Sequence, residues 1–312
     1  MNTPYMKSTF NRDYDENFDQ QEFSTPFMEK VLARVKEGNA FLAFRPKNKM
    51  TIYIDGMKMC NMESSRKYTP IIEARYLPIL KSVLGGKKGV SEEEWKKKIG
   101  LSICSWGDIY GEIIDNLQMF SKPEVGKVAK MYKLSPLASY GKSNAFLIDI
   151  EAKFSYPKAN VVSEKEQRID TVFYNAKTRQ LAFIEVKRLV DDRLQKNEKL
   201  QMEIVEQLKG YRNLIKNERC EIIKEYNKTL EAYSHIFGLN IDPIDEKQDI
   251  LLGLLITEYE TKDEKLVKSL SEQMKDTEVM DVPVLSIGDA ASISPATIEK
   301  KWFPSMIKSN NK

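Results

Sequence analysis

The sequence predicts an α/β fold, a mixed central sheet flanked by helices, with a small N-terminal α+β accessory module in front of it. Three observations predict this. Residues 169–174 and 181–187 are rich in β-branched and aromatic types, and the polar stretch Asn175-Ala176-Lys177-Thr178-Arg179-Gln180 between them reads as the turn of a hairpin. Leu200, Ile204, Leu208, Tyr211 and Ile215 form an apolar stripe at helical spacing. Residues 250–257 are an almost unbroken apolar run, as in a strand covered on both faces. Strands and helices that alternate in this way build layered α/β domains.

Taken in order, residues 1–25 are polar, acidic and aromatic, and are expected to be a flexible segment. A helix is predicted from Pro26 to about Glu37, because Thr25 is a good N-cap and proline suits the first helical position. Strands follow at 41–44 and 50–59, the second with Asp55-Gly56 at a turn or a bulge. A helix is predicted over 70–84, ending at Gly85-Gly86, so that 26–88 form the accessory module. The larger domain is expected over 89–305. It opens with Ser91 capping Glu92-Glu93-Glu94, and a second helix runs from about Trp106 to Phe120. The first core strand is predicted over 146–156, followed by the hairpin, a helix over 194–216 and another to about Phe237. A strand at 250–257, a helix at 263–273 and a strand at 282–287 complete it.

Composition bounds the chemistry. The 312 residues carry a net charge of +3, too small to announce a nucleic-acid partner by itself. No uninterrupted apolar run approaches the ~18 residues that a membrane helix needs, so a cytoplasmic protein with no membrane association is expected. Cys60, Cys104 and Cys220 lie far apart, form no zinc-type spacing and are expected to be reduced, buried thiols. The single histidine, His235, sits in a helical pattern, which makes a histidine base, a two-histidine metal site or a histidine-containing triad hard to build. Chemistry here has to use carboxylates and amines.

The hairpin supplies them. Side chains alternate along a strand, so Glu185 and Lys187 share one face. Asp170 on the partner strand can lie beside Glu185, and two carboxylates that close repel unless a cation joins them. Oxygen donors favour Mg²⁺, or Mn²⁺ in its place, with the Val186 carbonyl as a further ligand. Lys187 is placed to orient a water or to offset charge on a phosphate. The bland alternative is a same-face ion pair worth roughly 0.2–1 kcal/mol. Both acids lie in apolar runs, however, where an uncompensated charge is costly. Glu151-Ala152-Lys153 repeats the Glu-x-Lys pattern with no hairpin acid before it, and is read as part of the first core strand.

An Asp in one apolar strand followed by Glu-x-Lys closing the next is similar to the PD-(D/E)xK nuclease superfamily, with its restriction-endonuclease-like fold. Ile169 stands where that family often has proline. Gln207-Leu208-Lys209-Gly210-Tyr211 resembles the Gln-x-x-x-Tyr element of the RecB-like branch, and its Gln and Tyr share a helix face. The resemblance implies a Mg²⁺-dependent nuclease acting on DNA, in defence or DNA processing, with a homodimer left open. It makes Asp170 and Glu185 the metal ligands, Lys187 the catalytic amine, and Gln207 and Tyr211 supporting residues. It also suggests Glu112, with Glu73 as a rival, as a metal-binding acid from the helix before the first core strand. Arg188, Arg193, Lys196 and Lys199 follow the lysine directly and are expected to contact nucleic-acid phosphates. The alternative is a nuclease-fold module that binds nucleic acid or a protein without cutting.

Overall fold

The computed structural model describes residues 25–45, 49–63, 70–77, 88–99, 105–119, 123–154 and 167–303. The flexible segment expected over 1–25 therefore lies outside the described residues, Thr25 excepted. Among the described residues, internal contacts form two units: 25–139 with 232–239, and 140–231 with 240–303.

The first unit opens with helix α1, Pro26–Glu37, whose Met28 N–H donates to Thr25 Oγ1 at 3.2 Å as the cap predicts. It ends at Gly38, which takes the left-handed φ of 79° that closes a helix. Strands β1 (Ala40–Arg45), β2 (Lys49–Ile54) and β3 (Met57–Glu63) follow. Asp55 and Gly56, with φ of 50° and 80°, form a two-residue hairpin turn, so of the turn and the bulge expected there the turn is found, and it divides the run over 50–59 between β2 and β3. β4 (Ile71–Glu73) and β5 (Gly89–Ser91) complete an antiparallel sheet in the order β1-β2-β3-β4-β5. The segment expected to be helical from residue 70 thus opens as a strand. Ile71 and Ile72 pair with Asn61 and Cys60 on one side and with Ser91 and Val90 on the other, and these sheet bonds outweigh local helical spacing. Because β4 pairs with β5, the boundary expected near residue 88 falls inside this sheet. Helix α2 (Glu92–Ile99) begins with a capping box: Glu94 N–H donates to Ser91 Oγ at 3.3 Å and Ser91 N–H to Glu94 Oε2 at 3.1 Å. Helices α3 (Tyr110–Met119), α4 (Pro123–Ala129) and α5 (Pro136–Ser139) end the unit's long segment.

The second unit holds the mixed, helix-flanked sheet that the sequence predicts, but it opens at Tyr140 and not near residue 89, since the described residues of 89–139 belong to the first unit. Its strands are β6 (Ala145–Phe154), β7 (Gln167–Asn175) and β8 (Gln180–Arg188), then the short pair β9 (Gln195–Lys196) and β10 (Lys199–Leu200). Helices α6 (Met202–Asn217) and α7 (Arg219–Phe237), strand β11 (Leu251–Thr257), helix α8 (Glu264–Lys275), strand β12 (Val284–Ile287) and helix α9 (Pro295–Trp302) follow, and α7 from Ala232 onward belongs to the first unit. The large sheet runs β12-β11-β8-β7-β6, antiparallel across β6, β7 and β8 and parallel across β8, β11 and β12. The helices α6 and α7 between β8 and β11 provide the crossover that a parallel pair requires. One face buries Phe183, Ile256, Leu208, Tyr226 and Leu270 against α6, α7 and α8.

Two features differ from expectation. The helix predicted from 194 begins at Met202, because Asn197 and Glu198, at φ 50° and 63°, turn residues 195–200 into the β9–β10 hairpin. Gln273 of α8 holds that hairpin, accepting from Leu200 N–H at 2.9 Å and donating to Glu198 O at 3.3 Å. Helix α9, absent from the expected order, covers the other face, where Trp302 packs on Phe173 with ring centroids 6.1 Å apart. Cys60 is buried as expected but Cys220 is exposed, and Cys104 lies outside the described residues. Among the described residues no helix is long and apolar enough to cross a membrane.

Gly253 of β11 sits under α9: a Cβ there would lie 2.6 Å from Trp302 Nε1 and 2.8 Å from Ile184 Cδ1. Gly253→Ala is expected to destabilise the domain by about 1–3 kcal/mol through overpacking, read as a lower urea midpoint with an unchanged slope.

Candidate functional site

The site arises where β7 leaves β8. Their ladder starts at the turn, where Asn175 Oδ1 accepts from the N–H groups of Lys177 at 2.9 Å and Thr178 at 3.0 Å, and it runs from Asn175↔Gln180 to Thr171↔Ile184. There backbone pairing stops and side chains replace it. Thr171 Oγ1 donates to Ile184 O at 3.1 Å, and Asp170 Oδ2 accepts from Val186 N–H at 2.9 Å. Beyond this point β7 stays with β6 as far as Phe154↔Gln167, while β8 stays with β11 as far as Arg188↔Thr257. The two strands therefore open a gap with Asp170 on one side and Glu185 to Lys187 on the other. The N–H and C=O of one strand residue point the same way, so the Val186 carbonyl faces the gap beside Asp170.

Glu185 and Lys187 are each only 2 % exposed. Lys187 Nζ lies 2.5 Å from Glu185 Oε1, and Gln207 Nε2 donates to the same oxygen at 3.0 Å. Two donors on one buried carboxylate oxygen compensate a charge that the sheet would otherwise not tolerate. Helix α6 brings Gln207 there because Ile204, Val205, Leu208, Tyr211, Leu214 and Ile215 bury its apolar stripe, leaving Gln207 at the rim. Gln207 Nε2 also lies 2.6 Å from Tyr211 Oη, and that hydroxyl donates to Arg168 O on β7. The helix thus reaches β8 through Glu185 and β7 through Arg168, on both sides of the gap. Burial above all, with the Glu185 charge behind it, pushes the Tyr211 phenol pKa upward, so it stays a neutral donor.

Beyond β8, Asp191 grips Arg193: its Oδ1 accepts from Arg193 N–H at 3.0 Å and from Nε at 2.9 Å, and its Oδ2 from an NH₂ group at 2.7 Å. Burial alone would raise the Asp191 carboxyl, but the hydrogen bonds and charge of Arg193, with Lys187 adding to them, leave it below its ordinary value. Its hydrogen bond to Asp191 raises the Arg193 pKa first, and the Glu185 and Asp170 charges act in the same direction, so this guanidinium feels both acids. Asp191 was missed by sequence reasoning. Its Asp-x-Arg spacing directly after a strand is the signal, since an Asp side chain that bonds the backbone two residues on is a common turn device.

The other expected residues are placed as follows. Lys196 and Lys199 are directly opposed on the exposed β9–β10 hairpin. Glu112 is exposed on α3 and belongs to the first unit. Glu151 of β6, set aside in the sequence, has a positive φ of 49° between the pairs Ile150↔Thr171 and Ala152↔Ile169, which puts it opposite Asp170; its Oε1 lies 3.4 Å from an Arg168 NH₁ group. His235 is exposed on α7. Among the described residues no group of three or more His, Cys, Asp and Glu side chains is disposed to hold a metal. What the gap offers is two carboxylates and a carbonyl. This all-oxygen set suits Mg²⁺, which binds through one or two carboxylates and keeps several waters.

Compared with protein-family models, curated proteins and solved structures, the chain finds no match.

Because the Asp191 pKa is depressed in the fold, its contribution to stability is present above the unfolded value near 4 and is lost as pH falls through the folded one. Asp191→Asn is expected to flatten the acid limb of the stability profile below about pH 4, measured by urea unfolding at a series of pH values. Tyr211→Phe is expected to cost about 1 kcal/mol and to raise hydrogen exchange at the β7–β8 gap more than elsewhere.

Proposed function

We propose that this protein is a Mg²⁺-dependent nuclease that hydrolyses phosphodiester bonds in DNA. One observation carries the reading: where β7 parts from β8, Asp170 is bonded to the backbone of Val186, and the neighbours of Val186 are Glu185 and Lys187, an acid and an amine in contact. The similarity to the PD-(D/E)xK pattern supports the same residues in the same roles.

Asp170, Glu185 and the Val186 carbonyl would hold Mg²⁺ or Mn²⁺, which when bound supplies polarisation of the phosphodiester and a lower pKa for water. The protein's own groups do the rest. Lys187, held beside Glu185, orients the attacking water or offsets charge on the phosphate. Gln207 keeps Glu185 in place, and Tyr211 keeps β7 at a set distance through Arg168. Arg193 adds positive potential near the acids, and Lys196, Lys199 and Arg188 extend it along a nucleic-acid backbone. A role in defence or DNA processing belongs to the same proposal.

A second reading, a nuclease-fold module that binds without cutting, has one observation in its favour. The buried Lys187 ammonium already neutralises Glu185 at 2.5 Å, so the acid is compensated without a metal ion.

The two readings separate in solution. Wild type, Asp170→Asn and Lys187→Ala are incubated with linear, circular and single-stranded DNA in Mg²⁺, Mn²⁺ or EDTA. Metal-dependent cleavage by wild type, reduced by about 10²-fold or more in each variant, is expected. Equal degradation by wild type and Lys187→Ala would trace the activity to a contaminant. Titration calorimetry is expected to show Mg²⁺ heat that Asp170→Ala abolishes; a wild type with neither heat nor cleavage leaves the binding module.

A further inference from the structure

Past the pairs Ile150↔Thr171 and Ala152↔Ile169, strands β6 and β7 run on together to Phe154↔Gln167, at the end of the sheet where β8 also stops. Ala152, Phe154 and Ile169 are buried in the core against α6 and α7, and the Phe154 ring lies 5.8 Å from that of Phe183. Side chains alternate along a strand, so Lys153 and Arg168 project from the other side of this ribbon, and both are exposed. They are also register partners, a lysine directly opposite an arginine.

Like charges directly opposed across an antiparallel pair destabilise it. Glu151 answers the arginine in part: its Oε1 lies 3.4 Å from Arg168 Nη1, but the Arg168 and Glu151 side chains are 42 % and 41 % exposed, where an ion pair contributes little. The backbone of Glu151 is itself strained, at a φ of 49° that a residue with a Cβ rarely adopts. The same charge arrangement recurs across the gap. On the β9–β10 hairpin Lys196 is directly opposite Lys199, and both are exposed. Two like-charged cross-strand pairs therefore flank the two carboxylates, one carried by β6 and β7 on the Asp170 side, the other following β8 on the Glu185 side. A polyanion laid across the gap relieves both repulsions at once, because each phosphate supplies the opposite charge. Arg168 is two residues from Asp170, about 7 Å along the strand, which suits it to a phosphate next to the one at the acids.

We propose that Lys153 and Arg168 form a second phosphate-binding surface, on the opposite side of the gap from Lys196 and Lys199, that holds the same DNA strand beyond the cleaved bond. The inference rests on the nucleic-acid reading of the Asp170–Glu185 site and adds to it a path, from the β9–β10 hairpin across the gap to the β6–β7 ribbon. Glu151 is the counter-charge that Arg168 exchanges for phosphate when the strand arrives.

The test measures binding apart from cleavage. Anisotropy of a fluorescein-labelled single-stranded DNA oligonucleotide is followed in EDTA over a range of salt, with melting curves to check the fold of each variant. Arg168→Gln is expected to bind about tenfold more weakly and to shallow the slope of log K against log salt by about 0.7, and the double variant with Lys153→Gln to shallow it by about 1.4. Glu151→Gln, which releases the arginine, is expected to bind more tightly than wild type, a result that no loss of fold can imitate. Lys216→Gln is the control: it removes an exposed lysine beside the start of β11, at the other end of the sheet, and is expected to bind as wild type. Should Arg168→Gln melt out, Lys153→Gln and Glu151→Gln decide the question. Wild-type affinity and slope in the double variant overturn the surface, as do an equal loss in Lys216→Gln and a wild type that does not bind the oligonucleotide. Cleavage in Mg²⁺ with an indifferent double variant leaves the nuclease standing and removes the surface; binding that responds to these substitutions without any cleavage does the reverse.

Discussion

The hydrogen bond from Val186 N–H to Asp170 Oδ2 is the interaction on which the site depends. An interior strand ordinarily spends its N–H groups on a neighbour's carbonyls. Here a carboxylate takes the place of that carbonyl, and β7 and β8 separate without leaving a buried donor unsatisfied. The substitution makes the gap affordable in free energy and sets one acid against the backbone of the residue between the other acid and the lysine.

Helix α6 keeps the gap from closing or widening. Its contact with the sheet is mostly apolar, and such contact is indifferent to register at the scale of one hydrogen bond. Gln207 and Tyr211 remove that freedom, one bonded to Glu185 of β8, the other to the Arg168 carbonyl of β7. Asp191 does the equivalent for Arg193, fixing a guanidinium near the acids by three hydrogen bonds. Glu185, Arg168 and Arg193 are thus each tied to a named partner by hydrogen bonds, the kind of support that a preorganised site would need.

The parts of the fold that periodicity controls were legible. The stripe of α6 repeats at helical spacing, the Asp170–Lys187 hairpin joins two β-branched and aromatic runs through a polar turn, and the run of β11 is too short for a buried helix and fits a covered strand. Where the sequence misled, a long-range partner or local turn chemistry decided. Ile71 and Ile72 fit a helical spacing but found strands on both sides. Asn197-Glu198 turned the start of the expected α6 into a hairpin. Helix α9 is short, and its place is set by Trp302 fitting against a glycine on a distant strand.

The site divides in the same way. Alternation along one strand was enough to put Glu185 and Lys187 together, and four-residue spacing on one helix was enough to pair Gln207 with Tyr211, because both relations are local and follow from backbone geometry. That Gln207 would meet Glu185, that Asp170 would bond Val186 across a parting ladder, and that Lys153 would stand opposite Arg168, all depend on register between segments far apart in the chain. The sequence alone determined which chemical groups share a face of their own element; only the tertiary structure decided which faces meet, because strand register and helix docking are set by the summed packing of many residues and are written in no single motif.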